Sequence, residues 1–212
     1  LEACKKYSIN HVILISSSVV FSEANDFYTN TKTEQEKLID KYEIPFTVLR
    51  PTLMFGWFDR KHLGWLSRFL KRSLIFPIPG DGKYIRQPLY VGDFCKIIES
   101  CIFNKKVNMR FNISGLEKIY YIDLIKMLKS ASKGRSYILK IPYLLFWALL
   151  KVYSLFSNNP PFTTSQLEAL VIPEEFEIID WPSIFNINST SLKSALNETL
   201  NDEKYSNIVL KF

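Results

Sequence analysis

An uninterrupted apolar run, mostly β-branched, extends from His11 to Ile15 and ends in Ser16-Ser17-Ser18. A run with no polar alternation is the pattern of a strand covered on both faces, as in a parallel sheet. Residues 27–42 mix Lys and Glu with apolar positions and predict a helix, with Asn25 and Asp26 as cap candidates. Glu34 and Glu36 are assigned to its solvated face. Residues 45–49 predict a second short strand, closed by Arg50-Pro51. Strand, helix, strand at this spacing is a βαβ unit. Leu63, Leu66, Phe69 and Leu70 recur at helical spacing within residues 62–72, and Gly80-Asp81-Gly82 marks a turn. Residues 84–91 are strand-like, Asp93 can start a helix running to about Phe103, and residues 107–113 predict another strand. Beyond Ser114-Gly115 the texture becomes helical, at about 122–132, 143–156 and 163–170, with Pro160-Pro161 as a break and a last helix after Ser191. The pattern divides the chain into an α/β part over residues 1–115 and a mainly helical part over 116–212.

Composition narrows the function classes. With 47% hydrophobic and 23% charged residues, the chain can bury a core. The net charge of +6 is spread along the sequence rather than gathered in a stripe. The densest basic stretch, Trp57 to Arg72, is short of a nucleic-acid footprint, so no nucleic-acid partner is expected. Cys4, Cys95 and Cys101 have no CxxC spacing, which argues against a disulfide framework and for a reducing, cytoplasmic setting. His11 and His62 have no His or Cys at ligand spacing, so no metal is expected. No charged-then-apolar leader precedes a small-residue cleavage site. The most apolar stretch, Ile141 to Leu150, would reach only about 15 Å as a helix, half of a bilayer core. It predicts a buried or lobe-forming helix, with a peripheral membrane contact through Phe146, Trp147 and their neighbours as the alternative.

Candidate chemistry begins with Tyr28 and Lys32, four residues apart and so on one face of the first long helix. A lysine ammonium beside a phenol favours the phenolate, which makes a tyrosine usable as a general acid/base on a hydroxyl. The serines at the end of the preceding strand can hydrogen-bond the same oxygen as its charge changes. Ligands of open α/β sheets bind at that end of the strands. Each feature alone is common: a serine run at a strand end is usually turn chemistry. Their order along the chain gives them weight.

That order resembles the extended and atypical short-chain dehydrogenases/reductases, the NAD-dependent epimerase/dehydratase group. The resemblance is carried by Ile13-Leu14-Ile15-Ser16-Ser17-Ser18-Val19-Val20-Phe21, by Tyr28-Thr29-Asn30-Thr31-Lys32 with Glu36, and by Leu49-Arg50-Pro51-Thr52-Leu53-Met54-Phe55-Gly56. Pro79-Gly80-Asp81-Gly82-Lys83, Arg86-Gln87-Pro88-Leu89-Tyr90-Val91-Gly92-Asp93 and Phe111-Asn112-Ile113-Ser114-Gly115 follow in the family's order. It implies the C-terminal part of a Rossmann-like, doubly wound parallel sheet with a small, mainly helical substrate-binding lobe. It implies that about four strands precede Leu1, since none of the seven glycines forms GxGxxG. It implies NAD or NADP as cofactor and a nucleotide sugar as substrate, and it allows a homodimer. Carried over by position, Ser17 resembles the catalytic serine, with Ser18 as the fallback, and Tyr28 the catalytic acid/base. Lys32 resembles the residue that holds the nicotinamide ribose. Pro51 and Leu53 resemble backbone flanking the nicotinamide, and Arg86 an arginine that meets a diphosphate. Phe21-Ser22 stands where the family has Tyr-Gly, and Gly92 where it has an acid.

The resemblance implies hydride transfer on a nucleotide-linked sugar by a 4-epimerase or 4-keto reductase. A dehydratase ranks lower, because Phe27 and Thr29 flank Tyr28 where an extra acid would be needed. Two other classes are carried beside it: a non-catalytic nucleotide-binding assembly subunit, like the accessory subunit of respiratory complex I, and a hydroxysteroid-type dehydrogenase, which would not need Arg86. Consumption of NAD(P)H with a 4-keto sugar nucleotide discriminates them.

Overall fold

The computed structural model describes residues 1–21, 27–59, 61–156, 162–206 and 208. These form two compact units, each assembled from three separate segments. The first comprises Leu1–Phe55, Pro88–Leu116 and Phe176–Ser191; the second comprises Gly56–Gln87, Glu117–Glu175 and Leu192–Phe212.

The first unit is built on a parallel sheet of β1 (Val12–Ile15), β2 (Phe46–Pro51) and β7 (Met109–Ile113), in the order β1-β2-β7. Ile15 lies opposite Leu49, and Leu49 opposite Phe111. Side chains alternate across the sheet. Val12, Leu14, Phe46 and Val48 pack with Ile39 of α2 (Phe27–Lys41). On the other face, Ile13, Ile15, Leu49, Phe111 and Ile113 join Phe94, Ile97 and Cys101 of α4 (Val91–Phe103) and Trp181 and Phe185 of α8 (Trp181–Phe185). Helices therefore cover both faces, as the continuous apolar strands predict. Trp181 is buried, and its indole N–H donates to the carbonyl of Ser114 at 3.0 Å. A short helix, α1 (Glu2–Lys6), precedes β1, and the two-residue strands β3 (Met54–Phe55) and β6 (Leu89–Tyr90) pair in parallel.

The second unit contains α3 (Leu63–Arg72), β4 (Ile75–Pro79), β5 (Ile85–Arg86), β8 (Ile119–Tyr120), α5 (Tyr121–Ala131), β9 (Tyr137–Ile141), α6 (Tyr143–Phe156), α7 (Thr164–Val171) and α9 (Leu192–Asn201). The Asp59 carboxylate accepts from the backbone N–H groups of Lys61 and His62, just before α3, and of Gly64 in its first turn, at 2.9–3.0 Å. A Cβ on Gly64 would stand 1.9 Å from the Asp59 carbonyl oxygen, so only glycine lets this loop close on the helix. Thr163 and Gln166 form a reciprocal capping box at the start of α7.

The structure departs from the sequence reading in particular places. The strand expected over 84–91 is two short strands, β5 antiparallel to β8 and β6 parallel to β3. Pro88, which has no N–H to donate, separates them. Helix α4 begins at Val91, with Asp93 inside its first turn. Strand β9, parallel to β4, and helix α8 were not anticipated. The apolar residues of β9 run straight into α6, so no change of period marks the boundary. The cap candidates Asn25 and Asp26 and the break at Pro160-Pro161 lie outside the described residues.

Candidate functional site

Five of the six candidate residues belong to the first unit: Ser17, Tyr28, Lys32, Pro51 and Leu53. Beyond Ile15 the backbone stays in register for one more residue, with Ser16 N–H donating to the Leu49 carbonyl at 2.8 Å. Ser17 follows, buried, and a single 3₁₀ turn covers Ser18–Phe21. The Ser17 hydroxyl accepts from the N–H of Val19 at 3.3 Å, and its carbonyl accepts from Val20 at 3.3 Å. Ser17 thus performs turn chemistry at the head of that 3₁₀ segment, which fixes where its hydroxyl lies.

Tyr28 and Lys32 sit in the first half of α2, one turn apart. The Lys32 ammonium donates to the carbonyl of Ile15 at 2.9 Å and to Gln35 Oε1 at 3.3 Å, and lies 6.0 Å from the centre of the Tyr28 ring. The tether to Ile15 ties α2 to the carboxyl end of β1. A lysine ammonium has three N–H donors; two are engaged among the described residues, leaving one for a ligand hydroxyl. Tyr28 is half exposed (52%), so its phenol is open to an incoming molecule.

Pro51 ends β2 and is buried. Thr52 N–H donates to the Ile113 carbonyl at 3.0 Å, and the Leu53 carbonyl accepts from Leu89 N–H at 2.9 Å. The backbone of residues 51–53 is therefore held from β7 on one side and from the segment entering β6 on the other.

Beneath this row lies an ionic network that corrects the sequence reading. Glu36, assigned there to a solvated helix face, is 8% exposed. Its carboxylate accepts from Arg50 Nε at 2.9 and 3.2 Å and from Arg50 Nη2 at 2.6 Å, a fork-on-fork pair. Arg50 Nη1 donates to Asn112 Oδ1 at 3.3 Å, and its guanidinium lies over the Phe21 ring at 4.8 Å. Burial alone would raise the Glu36 carboxyl; the hydrogen bonds from Arg50 and the charges of Arg50 and Arg110 outweigh it and hold the group below its ordinary 4.5. One arginine thereby fastens α2, the 3₁₀ turn after Ser17, β2 and β7 together. The helical spacing of Lys32 to Glu36 was readable in sequence; the partner fourteen residues away was not.

Asp93 is a second residue whose role the sequence left open. It is buried, and it accepts from Thr190 N–H at 2.7 Å, Thr190 Oγ1 at 2.8 Å and Lys96 Nζ at 2.9 Å. It anchors the chain that follows α8.

Arg86 belongs to the second unit. It is 5% exposed. Nη1 donates to the carbonyls of Ile85 at 2.7 Å and Ile172 at 2.9 Å, and Nη2 donates to Leu170. Nε lies 3.8 Å from a Glu174 oxygen, and the guanidinium stacks over Tyr84 at 5.2 Å. Here Arg86 serves the last carbonyls of α7, a good partner for the negative end of a helix.

These residues fit one end of a dinucleotide. A tethered ammonium with a spare donor, a phenol one turn away and a pinned backbone at a strand end suit a nicotinamide ribose. A glycine-rich cradle for the pyrophosphate is not among the chain's seven glycines. Among the described residues no cluster of three or more His, Cys, Asp or Glu could hold a metal ion.

The family model described as the NAD dependent epimerase/dehydratase family matches residues 1–114. A curated relative from Bacillus subtilis (strain 168), an uncharacterized UDP-glucose epimerase, YtcB, is 26% identical over 62% of this chain and 48% of its own length. The chain thus spans about half of that relative. A UDP-glucose 4-epimerase with UDP-glucose from Thermotoga maritima is 17% identical, with a TM-score of 0.67 over 94% of this chain and 65% of that one. A dTDP-glucose 4,6-dehydratase from Bacillus anthracis in complex with NAD is 15% identical, with a TM-score of 0.66 over 96% and 66%. A UDP-glucuronic acid 4-epimerase from Bacillus cereus in complex with NAD is 23% identical, with a TM-score of 0.57 over 80% and 65%. At these identities the structural likenesses establish a shared Rossmann-type α/β fold.

Proposed function

The chain belongs to the NAD dependent epimerase/dehydratase family, and on that premise we propose that it carries the acid/base half of an NAD(P)-dependent nucleotide-sugar epimerase or 4-keto reductase. One observation carries the reading: the Lys32 ammonium is bound to the Ile15 carbonyl at the end of β1, one turn from Tyr28 and 6.0 Å from the centre of its ring. Tyr28 moves the proton of the sugar hydroxyl, and Lys32 holds a ribose hydroxyl. Ser17, its position fixed by the turn it caps, donates a hydrogen bond to the same sugar oxygen. Pro51 and Leu53 form a backbone wall for the nicotinamide ring. NAD, when bound, supplies the acceptance and return of hydride. The nucleotide-sugar assignment is supported by what the similar proteins are named for, a UDP-glucose epimerase and a UDP-glucose 4-epimerase among them.

The test is Tyr28→Phe in the full-length natural protein. Turnover of a 4-hydroxy or 4-keto sugar nucleotide should fall about 10²–10⁴-fold while NAD binding, followed by calorimetry, stays the same. Full activity in that variant, or no NAD(P)-linked activity of the parent on any such substrate, overturns the reading in favour of a non-catalytic subunit.

A further inference from the structure

Helix α6 is apolar on two opposite sides. Phe146 stacks with Phe162 at 6.3 Å, and Trp147 donates its indole N–H to Glu168 Oε1 of α7 at 3.2 Å, so this side faces α7. Successive helical residues advance about 100°. Leu144, Leu145, Leu149, Val152, Leu155 and Phe156 consequently share the other half of the helix, and all six are exposed, Leu144 at 78% and Phe156 at 85%. No residue of α6 is buried. A surface helix of a globular unit normally shows charge there. Of the residues that the sequence offers for a membrane contact, Phe146, Trp147 and their neighbours, the two aromatics face α7 and the neighbours are the exposed ones.

The charge along the chain on either side of α6 points to one partner. Between Asp123 and Glu168 the chain has no acidic residue, while it has Lys126, Lys129, Lys133, Arg135, Lys140 and Lys151. Lys133, Arg135, Lys140 and Lys151 are exposed. On β9, immediately before α6, Tyr137 and Leu139 are exposed as well, and Tyr137 pairs with the exposed Ile75 of β4. A wide apolar face within an acid-free, lysine- and arginine-bearing stretch suits a surface that is apolar inside and anionic outside. A second protein copy would offer apolar area but no matching excess of negative charge, since the chain itself is basic overall. At fourteen residues, α6 is about 21 Å long, against a hydrocarbon core of about 30 Å, so it would lie along a bilayer rather than cross it.

We propose that α6 is a membrane-surface helix, docking this protein on bilayers that carry anionic headgroups. The six exposed residues enter the boundary between headgroups and acyl chains, about 5–10 Å deep. Arg135 and Lys140 remain at headgroup level, while the Lys151 ammonium is drawn over the Trp147 ring at 5.5 Å.

The test is flotation of the chain with vesicles of phosphatidylcholine mixed with phosphatidylglycerol, and with vesicles of phosphatidylcholine alone. The chain should float with the mixed vesicles, float much less with the neutral ones, and be released as salt is raised. Replacing both Leu145 and Leu149 by Glu should weaken partition at least about a hundredfold. Both side chains are half exposed, and circular dichroism checks that the variant keeps the fold. Arg135→Ala and Lys140→Ala should each cost about fivefold on the mixed vesicles only. Absence of flotation with either vesicle overturns the proposal. So does flotation that survives the double glutamate variant, or a dimer in sedimentation equilibrium that this variant dissociates, which would assign the face to a second copy.

Discussion

Replacing Glu36 by Gln tests whether the pair beneath the site is part of the core or an ornament of the surface. The substitution keeps shape and removes only the charge that Arg50 is built around. Arg50 would remain beside the Phe21 ring and Asn112, but its side chain is only 15% exposed and would lose the anion that its fork grips. Breaking one partner of a buried pair typically costs about 3–5 kcal/mol. Asn112 and the aromatic ring soften the loss, so the lower end, about 3 kcal/mol, is expected. For a chain of this size that corresponds to a fall in Tm of about 6–12 °C. The pH dependence supplies a second reading. The carboxyl is held below 4.5 in the folded protein, so its contribution is complete above that pH and is lost as pH falls below it. The parent should therefore lose stability on acidification more steeply than Glu36→Gln, and the two melting curves should converge. Thermal melts by circular dichroism across pH 3–7 measure both effects. A variant that melts within about 3 °C of the parent at neutral pH, less than about 1 kcal/mol, refutes the argument.

Other substitutions probe the remaining anchors. Trp181→Ala should cost about 3–5 kcal/mol in urea denaturation, since it empties the centre of the core on one face of the sheet and leaves the Ser114 carbonyl without its donor. Arg86→Lys should speed amide hydrogen exchange over residues 170–174, because a single ammonium cannot replace the fork that holds the carbonyls of residues 85, 170 and 172; unchanged exchange there would sink the anchoring role. His11 is held below its ordinary 6.5 by burial and by the nearby charge of Lys105, with Nε2 2.8 Å from Thr47 Oγ1. Its NMR titration midpoint should lie below 6.5, and its contribution to stability should be full above that pH and fade as pH falls through the midpoint.

What could be read in the sequence was what periodicity and turn chemistry encode. The run ending at Ile15, the helix carrying Tyr28 and Lys32, and the strand closing at Pro51 fall where the pattern puts them, because short continuous apolar strands have no other stable place than a covered sheet. Residues joined by long-range hydrogen bonds were opaque. Glu36 looks like any other helix-surface acid until Arg50 is seen to reach it. Asp93 reads as a helix start, and its hold on Thr190 spans almost a hundred residues. Strand β9 was hidden for a different reason: Tyr137 to Ile141 and the helix after it are equally apolar, and Pro77 and Pro79 disguise its partner.

The interleaving of the two units bears on how the chain is made. Neither unit is one continuous stretch: the first is left after Phe55 and again after Leu116, and it is closed only by Phe176–Ser191. As the chain leaves the ribosome, its sheet must wait, with one face covered by α4 alone, until Trp181 and Phe185 emerge. A message truncated anywhere between residues 117 and 175 would encode every candidate acid/base residue and still yield a protein lacking Trp181 and Phe185 on that face. For the same reason, lengthening or shortening an excursion between those returns alters the second unit while leaving the order of strands, and the placement of Tyr28 and Lys32, as they are.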